Sequence, residues 1–577
     1  MKPQAMGSTV NRGRVPRRGR GFGPLLALGL LTLQGAALAA AAGEGGMPPR
    51  PQPPDSARPA PSSDEAGQRL PEIPADATGS AVHHGGVRVK LTALRIRGST
   101  VFDEATLQAE LSDAIGHELD FAELQGLAQR LSLYYRERGY LLSRAVLPPQ
   151  KIRDGVVELQ VIEGRLGQIR LEASAALQPA QVEQAARPYL NDLKPGEVLN
   201  RQPLERDLLL LGDLPGVAVQ STLVQGEAEG STDLDLHVGH EPRSLAGSLT
   251  LDNHGGRYTG EARLTGRVRI NSPWRFGDSL DLTASTSGMG IRAAHYRYVR
   301  GGWQTPVDAA GTQVGMAAAL MDYHFGEDFE SLDAHGDARH LSFHVQHPWV
   351  RSRTHNLLAQ AVLDVKSFTD WNLQDVAHRR LEVLSLRLSN HRGFVGGAIG
   401  QGSLALSFGH LGQEGGDLQH GTPGGFGKLG FQGEWQQPIA ASGFSAVLKL
   451  QGQWAGKNLD SAEKFGLGGP AAVRAFAGSE AMSDTGAVLN VELQRSWGGL
   501  TGRLFFDMGR GAAFRDPIAS DPAENTRGLA GGGLGLEGRP STRWWLSGHL
   551  AWQAWGVSSS AVVDRSPRLW VVAMREF

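Results

Sequence analysis

The sequence has no cysteine, which removes disulfide frameworks, thiolate metal sites and cysteine nucleophiles together. Beyond the first forty residues it has no run of eighteen uninterrupted apolar residues, so no helical membrane span is expected there. If the chain enters a membrane it must do so as a closed barrel, because lipid satisfies no open strand edge. A formal net charge of -2 leaves no bulk basic field, so nucleic acid is not expected as a partner. HExxH, the Walker loop and the GxSxG nucleophile elbow are all missing. Gly533-Leu-Gly-Leu-Glu-Gly538 matches GxGxxG by letter, but Arg539-Pro-Ser-Thr-Arg-Trp-Trp follows it, a turn into a strand where a dinucleotide fold needs a helix. Neither enzymatic activity nor a cofactor is expected, and His83-His84 supplies too few ligands for a metal.

What is present begins with a basic stretch holding Arg12, Arg14, Arg17, Arg18 and Arg20, then a short apolar run from Gly23, then Ala37-Leu38-Ala39. That order reads as a secretory signal peptide over residues 1–39. Residues 40–86 are rich in Pro, Ala and Gly and read as an extended linker, in which only Ser63–Leu70 has the composition for a turn or two of helix. From 87 to 164 the periodicity gives strand, helix, helix, strand, strand, with Val87, Val89 and Leu91 as the opening strand and Leu124, Leu127, Leu131 and Tyr134 at helical spacing. Residues 165–241 repeat the order, and a tandem repeat is a stronger signal than either copy alone.

Beyond Pro242 helical periodicity fades and alternation takes over, as in Leu404, Leu406 and Phe408 and in Phe444, Ala446, Leu448 and Leu450. Glycine reaches 77 without a collagen period, as suits many bends in an all-β region. Alternation alone fits a soluble sandwich as well as a barrel. The ending decides between them: Leu569 to Phe577 is a strand finishing on an aromatic residue, the mark of outer-membrane barrels. Arg575, two residues earlier, stands where that mark has an apolar side chain. Trp544, Trp545, Trp552 and Trp555 are candidates for an interfacial girdle, although neighbours 544 and 545 must face opposite ways.

These features resemble the TpsB family, the outer-membrane transporters of two-partner secretion that export haemolysins and filamentous haemagglutinins. Tyr140-Leu-Leu-Ser-Arg-Ala-Val-Leu-Pro-Pro-Gln-Lys-Ile-Arg-Asp-Gly155 with Val161-Ile-Glu-Gly164 is similar to the family's first POTRA domain. Leu199 to Gly216 is similar to the second, and Asp252-Asn253 with Asn271-Ser-Pro-Trp-Arg-Phe-Gly-Asp278 to the entry of the barrel. The resemblance implies about sixteen antiparallel transmembrane strands over 242–577, about twenty-one residues per strand with its loops, preceded by two tandem α+β POTRA modules.

It also implies a site. Phe465 to Phe476 resembles the inward-folded loop of the family, whose tip is Val-Arg-Gly-aromatic, and Phe505-Phe506-Asp507-Met508-Gly509 resembles its Phe-x-Asp-x-Gly strand. Arg474 and Asp507 would form a lock in the barrel lumen, with Val473, Phe476, Phe506 and Gly509 as neighbours. Ala475 stands where the family usually has Gly, which carries a steric penalty if that position needs positive φ. The expected partners are a secreted exoprotein of haemagglutinin, haemolysin or adhesin type bound as an extended chain, outer-membrane lipid, and the barrel-assembly machinery through the strand ending at Phe577. The rival readings are a barrel-assembly insertase, whose relatives carry more POTRA modules, and a porin, which needs no soluble modules.

Overall fold

The structure is a computed structural model, and it describes residues 88–577 apart from 175–178, 229, 241–244, 289–293, 374, 416–421, 440–441, 479, 518–524 and 557–564. The expected signal peptide, the linker and its Ser63–Leu70 stretch lie outside the described residues.

The first module packs two helices, Glu104–Glu110 and Phe121–Glu137, on a three-stranded sheet. The longer helix starts at a full capping box between Asp120 and Glu123, and its Leu124, Leu127, Leu131 and Tyr135 are buried. In the sheet, Ala93–Arg97 runs parallel to Val156–Ile162, which pairs antiparallel with Arg144–Val146. The first strand of that sheet is Ala93–Arg97, while the expected 87–91 strand is present only as Val89–Lys90. Val89–Lys90 pairs apart from the sheet with Glu118–Leu119, and Leu91 is buried in the core.

The second module repeats this plan with Pro179–Ala186 and Arg201–Gly212 on the sheet Arg165–Ala173, Ser231–His240 and Val217–Gln225. Its last strand is again central, parallel to the first and antiparallel to the third. Two residues join the modules. Gly139, with φ 93°, ends the long helix of the first, and a Cβ there would stand 2.9 Å from Asn200 Oδ1, the N-cap of the second module's helix. Glu163 accepts hydrogen bonds from Thr100 N at 2.7 Å and Val101 N at 3.0 Å, and Arg165 reaches it at 3.3 Å. Burial by itself would raise the Glu163 carboxyl, but these donors hold it below the usual carboxylate range.

Sixteen strands, from Leu245–Asp252 to Arg568–Glu576, form a closed antiparallel barrel. The last strand pairs with the first from Val572 opposite Asp252 to Glu576 opposite Ser248, and the ladder continues as Phe577 N to Gly247 O at 3.0 Å. Alternation sorts the two faces. Leu404, Leu406 and Phe408 are exposed outward, as are Leu320, Leu341, Leu363 and Leu534 on other strands, while Ser403, Ser407, Asp364 and Arg263 are buried inside. Trp544 and Trp552 stand on the outer face and Trp545 on the inner one. Arg575 also faces outward and lays its guanidinium 5.9 Å from the Trp544 ring, so its charge sits at the rim of the apolar band. The GxGxxG string lies inside the strand Thr526–Ser541, with no helix after it.

The second module is docked on the turns at the near end of the barrel. Arg351 holds Asp213 with two hydrogen bonds, Nε to Oδ2 at 2.6 Å and Nη2 to Oδ1 at 2.7 Å. Arg353 N donates to Glu205 at 2.6 Å, and Arg206 donates to the carbonyls of Ala310 and Pro348. Ser272 Oγ donates to the Pro215 carbonyl at 3.1 Å, and a Cβ at Gly216 would stand 2.7 Å from Asn271 Cβ. The Pro215-Gly216 stretch and the Asn271–Asp278 turn, read separately in the sequence, thus form one contact.

Candidate functional site in the barrel lumen

Between the strands Phe444–Ala455 and Thr485–Trp497 the chain folds inward and fills part of the lumen. The segment carries a 3-10 turn, Ser461–Glu463, and a small ladder in which Phe465 pairs with Ser483 and Gly466 with Met482. Its tip places Val473, Ala475 and Phe476, each fully buried, against Leu467, Val488, Phe505, Leu529 and Ala551. This is a dry core built on a barrel wall, and it fixes the backbone that carries Arg474.

Arg474 donates Nε to Asp507 Oδ2 at 2.9 Å and Nη2 to Oδ1 at 2.6 Å, a bidentate fork. Its Nη1 lies 2.8 Å from Glu492 Oε1, and its backbone N–H also donates to Asp507 at 3.1 Å. Asp507 accepts a further bond from Asn490 Nδ2 at 2.7 Å, and the same amide donates to the Ala472 carbonyl. Trp570 Nε1 donates to the Arg474 carbonyl at 2.7 Å, and the guanidinium carbon stands 3.5 Å from the centre of the Phe505 ring. Arg474 is 4 % exposed and Asp507 0 %, so the pair is desolvated and every nearby donor counts.

The expected neighbours divide. Val473 and Phe476 pack at the tip, and Gly509 leaves room for Val473, whose Cγ2 would meet an added Cβ at 3.2 Å. Phe506 is a correction: it lies on the outer face, 42 % exposed, because odd and even positions of a strand face opposite ways. Phe505 is the aromatic that meets the arginine. Ala475 is not among the described non-glycine residues with positive φ, so its Cβ carries no backbone penalty. Its methyl occupies space conceded by Gly531, where an added Cβ would stand 2.3 Å away.

Sequence reasoning missed a second set of anchors on the same segment. Glu463 sits between Lys366 and Lys428, each Nζ 2.8 Å from one carboxylate oxygen. Arg379 binds Asp460 and also Asp370, the latter at 2.8 Å, and Lys464 binds Asp484 at 2.8 Å. Inward-facing lysines on the strands His355–Trp371 and Gly424–Ile439 were the available signal, but alternation does not say which loop carboxylate meets them.

Residues 230–538 match the family described as "Haemolysin secretion/activation protein ShlB/FhaC/HecB", and residues 89–164 match "POTRA domain, ShlB-type". The chain belongs to the ShlB/FhaC/HecB family. Among its relatives, "Heme/hemopexin transporter protein HuxB" of Haemophilus influenzae (strain 86-028NP) is 26 % identical over 445 residues, covering 74 % of this chain and 76 % of the relative. "Outer membrane transporter CdiB" of Escherichia coli is 24 % identical over 431 residues, covering 70 % and 68 %. The solved CdiB structure from Escherichia coli matches the fold with a TM-score of 0.67 at 21 % identity, over 89 % of this chain and 95 % of that one. CdiB from Acinetobacter baumannii matches at 0.60 and 18 %, with the same coverage. The ShlB-family member described here is an outer-membrane β-barrel transporter of two-partner secretion, with its POTRA modules in the periplasm and a secreted exoprotein as its cargo.

Proposed function

We propose that the inward-folded segment is the gate of the export pore, and that Arg474 and Asp507 are the lock holding it to the barrel wall. The observation that carries this reading is the bidentate pair at 2.6 and 2.9 Å, buried at the tip of a segment lying in the path a translocating chain must take. Arginine suits the role because its planar fork meets both carboxylate oxygens, and burial removes the water that weakens exposed pairs. Val473, Phe476 and Gly509 position the pair. The second set of anchors, centred on Glu463, holds the base of the same segment.

Upstream, the modules over 87–164 and 165–241 take the exoprotein as an extended chain added to a free strand edge. Main-chain hydrogen bonds then supply affinity with little demand on side chains. Arg144–Val146 and Ala93–Arg97 are the outer strands of the first sheet, Val217–Gln225 and Arg165–Ala173 those of the second. The strand ending at Phe577 is the part read by the barrel-assembly machinery. The chain catalyses no reaction in this scheme; residues 242–577 serve as the pore, behind a signal peptide over 1–39 and a linker over 40–86.

Co-expression with a large exoprotein encoded nearby tests the reading. Cargo should reach the medium with the full chain and stay in the periplasm when residues 87–240 are deleted. Arg474→Ala and Asp507→Ala should each impair export while the barrel remains inserted, and normal export by either variant would remove the lock assignment. Cargo retained by the full chain, with better assembly of other barrels, would support an insertase instead.

A further inference from the structure

At the end of the barrel away from the POTRA modules, three histidines stand side by side on adjacent strands. His295 is paired across the ladder with His324, and His324 with His335, whose next partner is Trp371. The rings stack in register, 6.0 Å apart from His295 to His324, 5.5 Å from His324 to His335 and 5.3 Å from His335 to Trp371. All four share the outward face, since His295 and His324 lie four residues from the exposed Val299 and Leu320. The row therefore stands beyond the apolar band, on the extracellular rim.

The loop that joins His324 to His335 brings a carboxylate to this row. Asp333 adopts φ 45°, in the left-handed region, which aspartate enters more readily than most residues. That turn sets Asp333 Oδ1 3.6 Å from His324 Nε2 and 3.9 Å from His335 Nδ1. The three donor atoms all lie within 4.8 Å of one another. Donors of a tetrahedral ion with bonds of about 2.0–2.2 Å stand about 3.3–3.6 Å apart. Besides closing to that spacing, the His324 and His335 rings, stacked 5° from parallel, must turn so that their in-plane lone pairs meet on one ion. The loop is held for it: Phe325 and Tyr258 pack in a buried cluster, and Arg257 binds Glu327 and Asp328.

We propose that His324, His335 and Asp333 bind a divalent transition ion of the zinc class, with the fourth position left to water. Two imidazoles and one carboxylate suit zinc better than magnesium or calcium, which take oxygen ligands. His335 Nδ1 now lies 2.6 Å from the Asp333 carbonyl oxygen, a hydrogen bond in which the ring donates; coordination through Nδ1 breaks that bond and moves the ring proton to Nε2, leaving a neutral imidazole as ligand. His295 is engaged with Asp322 at 3.0 Å and flanks the site without joining it. The ion would tie the last residue of one strand and the first of the next to the loop between them.

The test uses the full-length protein without an affinity tag, in detergent, stripped with a chelator and titrated with Zn2+ alone by calorimetry. One equivalent should bind, and His324→Gln and Asp333→Asn should each weaken binding at least about tenfold. Migration on an unheated gel checks that each barrel is folded; should His324→Gln fail to fold, Asp333→Asn, which alters only the loop, carries the test. No stoichiometric uptake, or a smaller loss than tenfold in the folded variants, overturns the proposal.

Discussion

Two arginine–aspartate clamps hold this molecule at different places, and they are built to different standards. Arg474 and Asp507 sit in the lumen with their side chains 4 % and 0 % exposed, and Glu492, Asn490, Trp570 and Phe505 complete their surroundings. Arg351 and Asp213 join barrel to POTRA module with equally short bonds, but Asp213 keeps 30 % of its side chain exposed. The same chemical pair therefore has different consequences. In the lumen, losing one partner strands a charge away from water, which costs far more than the net value of the pair. At the module, water covers what is left behind, and neighbouring contacts from Arg206, Arg353 and Ser272 share the load.

The strongest way to break the contrast is Arg474→Ala. It leaves Asp507 and Glu492 buried without their main cation, and should destabilise the gate by about 3–5 kcal/mol. Protease access to residues 465–484 in inserted barrels should rise, and Arg474→Lys should fall between wild type and alanine because it keeps charge but loses the fork. Arg351→Ala should cost about 1.5–3 kcal/mol at the module junction. Crosslinking between residues 205–213 and the barrel turns would report the loosening, while gate accessibility stays as in wild type. Equal responses at gate and junction would mean that the two clamps belong to one cooperative unit.

A smaller effect sharpens the picture at the junction. Asp207 is 4 % exposed on the helix Arg201–Gly212, and its Oδ2 has no hydrogen-bond partner among the described residues. Burial, helped by Asp192 and opposed by Arg206, pushes its carboxyl up to about 7. The unfolded value is about 3.9, so between the two the folded module holds the proton and the unfolded chain does not. Stability should fall as pH rises from about 4 through about 7 and then level off. Asp207→Asn should remove this slope and stabilise the second module by about 1 kcal/mol above pH 7, read by urea-dependent proteolysis of residues 165–240.

Much of this was legible in the residues. The repeated strand–helix–helix–strand–strand order and the two-residue alternation follow from which faces must be apolar, and each is a local property. The motifs around Arg474 and Asp507 named that pair through family resemblance. The aromatic at the site was misassigned by one residue, Phe506 for Phe505, because a strand reverses face at every step and two adjacent phenylalanines look alike in a string.

The sequence by itself determined the class of each described segment: paired α+β modules, alternating strands and a terminal aromatic. Tertiary structure alone decided the meetings between segments far apart in the chain. It brought Glu463 between Lys366 and Lys428, Gly531 opposite Ala475, Asp213 onto Arg351, and His324 beside His335 and Asp333. Periodicity tells a residue which face it occupies, since that depends on its near neighbours along the chain. Which partner waits on that face depends on barrel closure and register, and those are settled only when all the strands have paired.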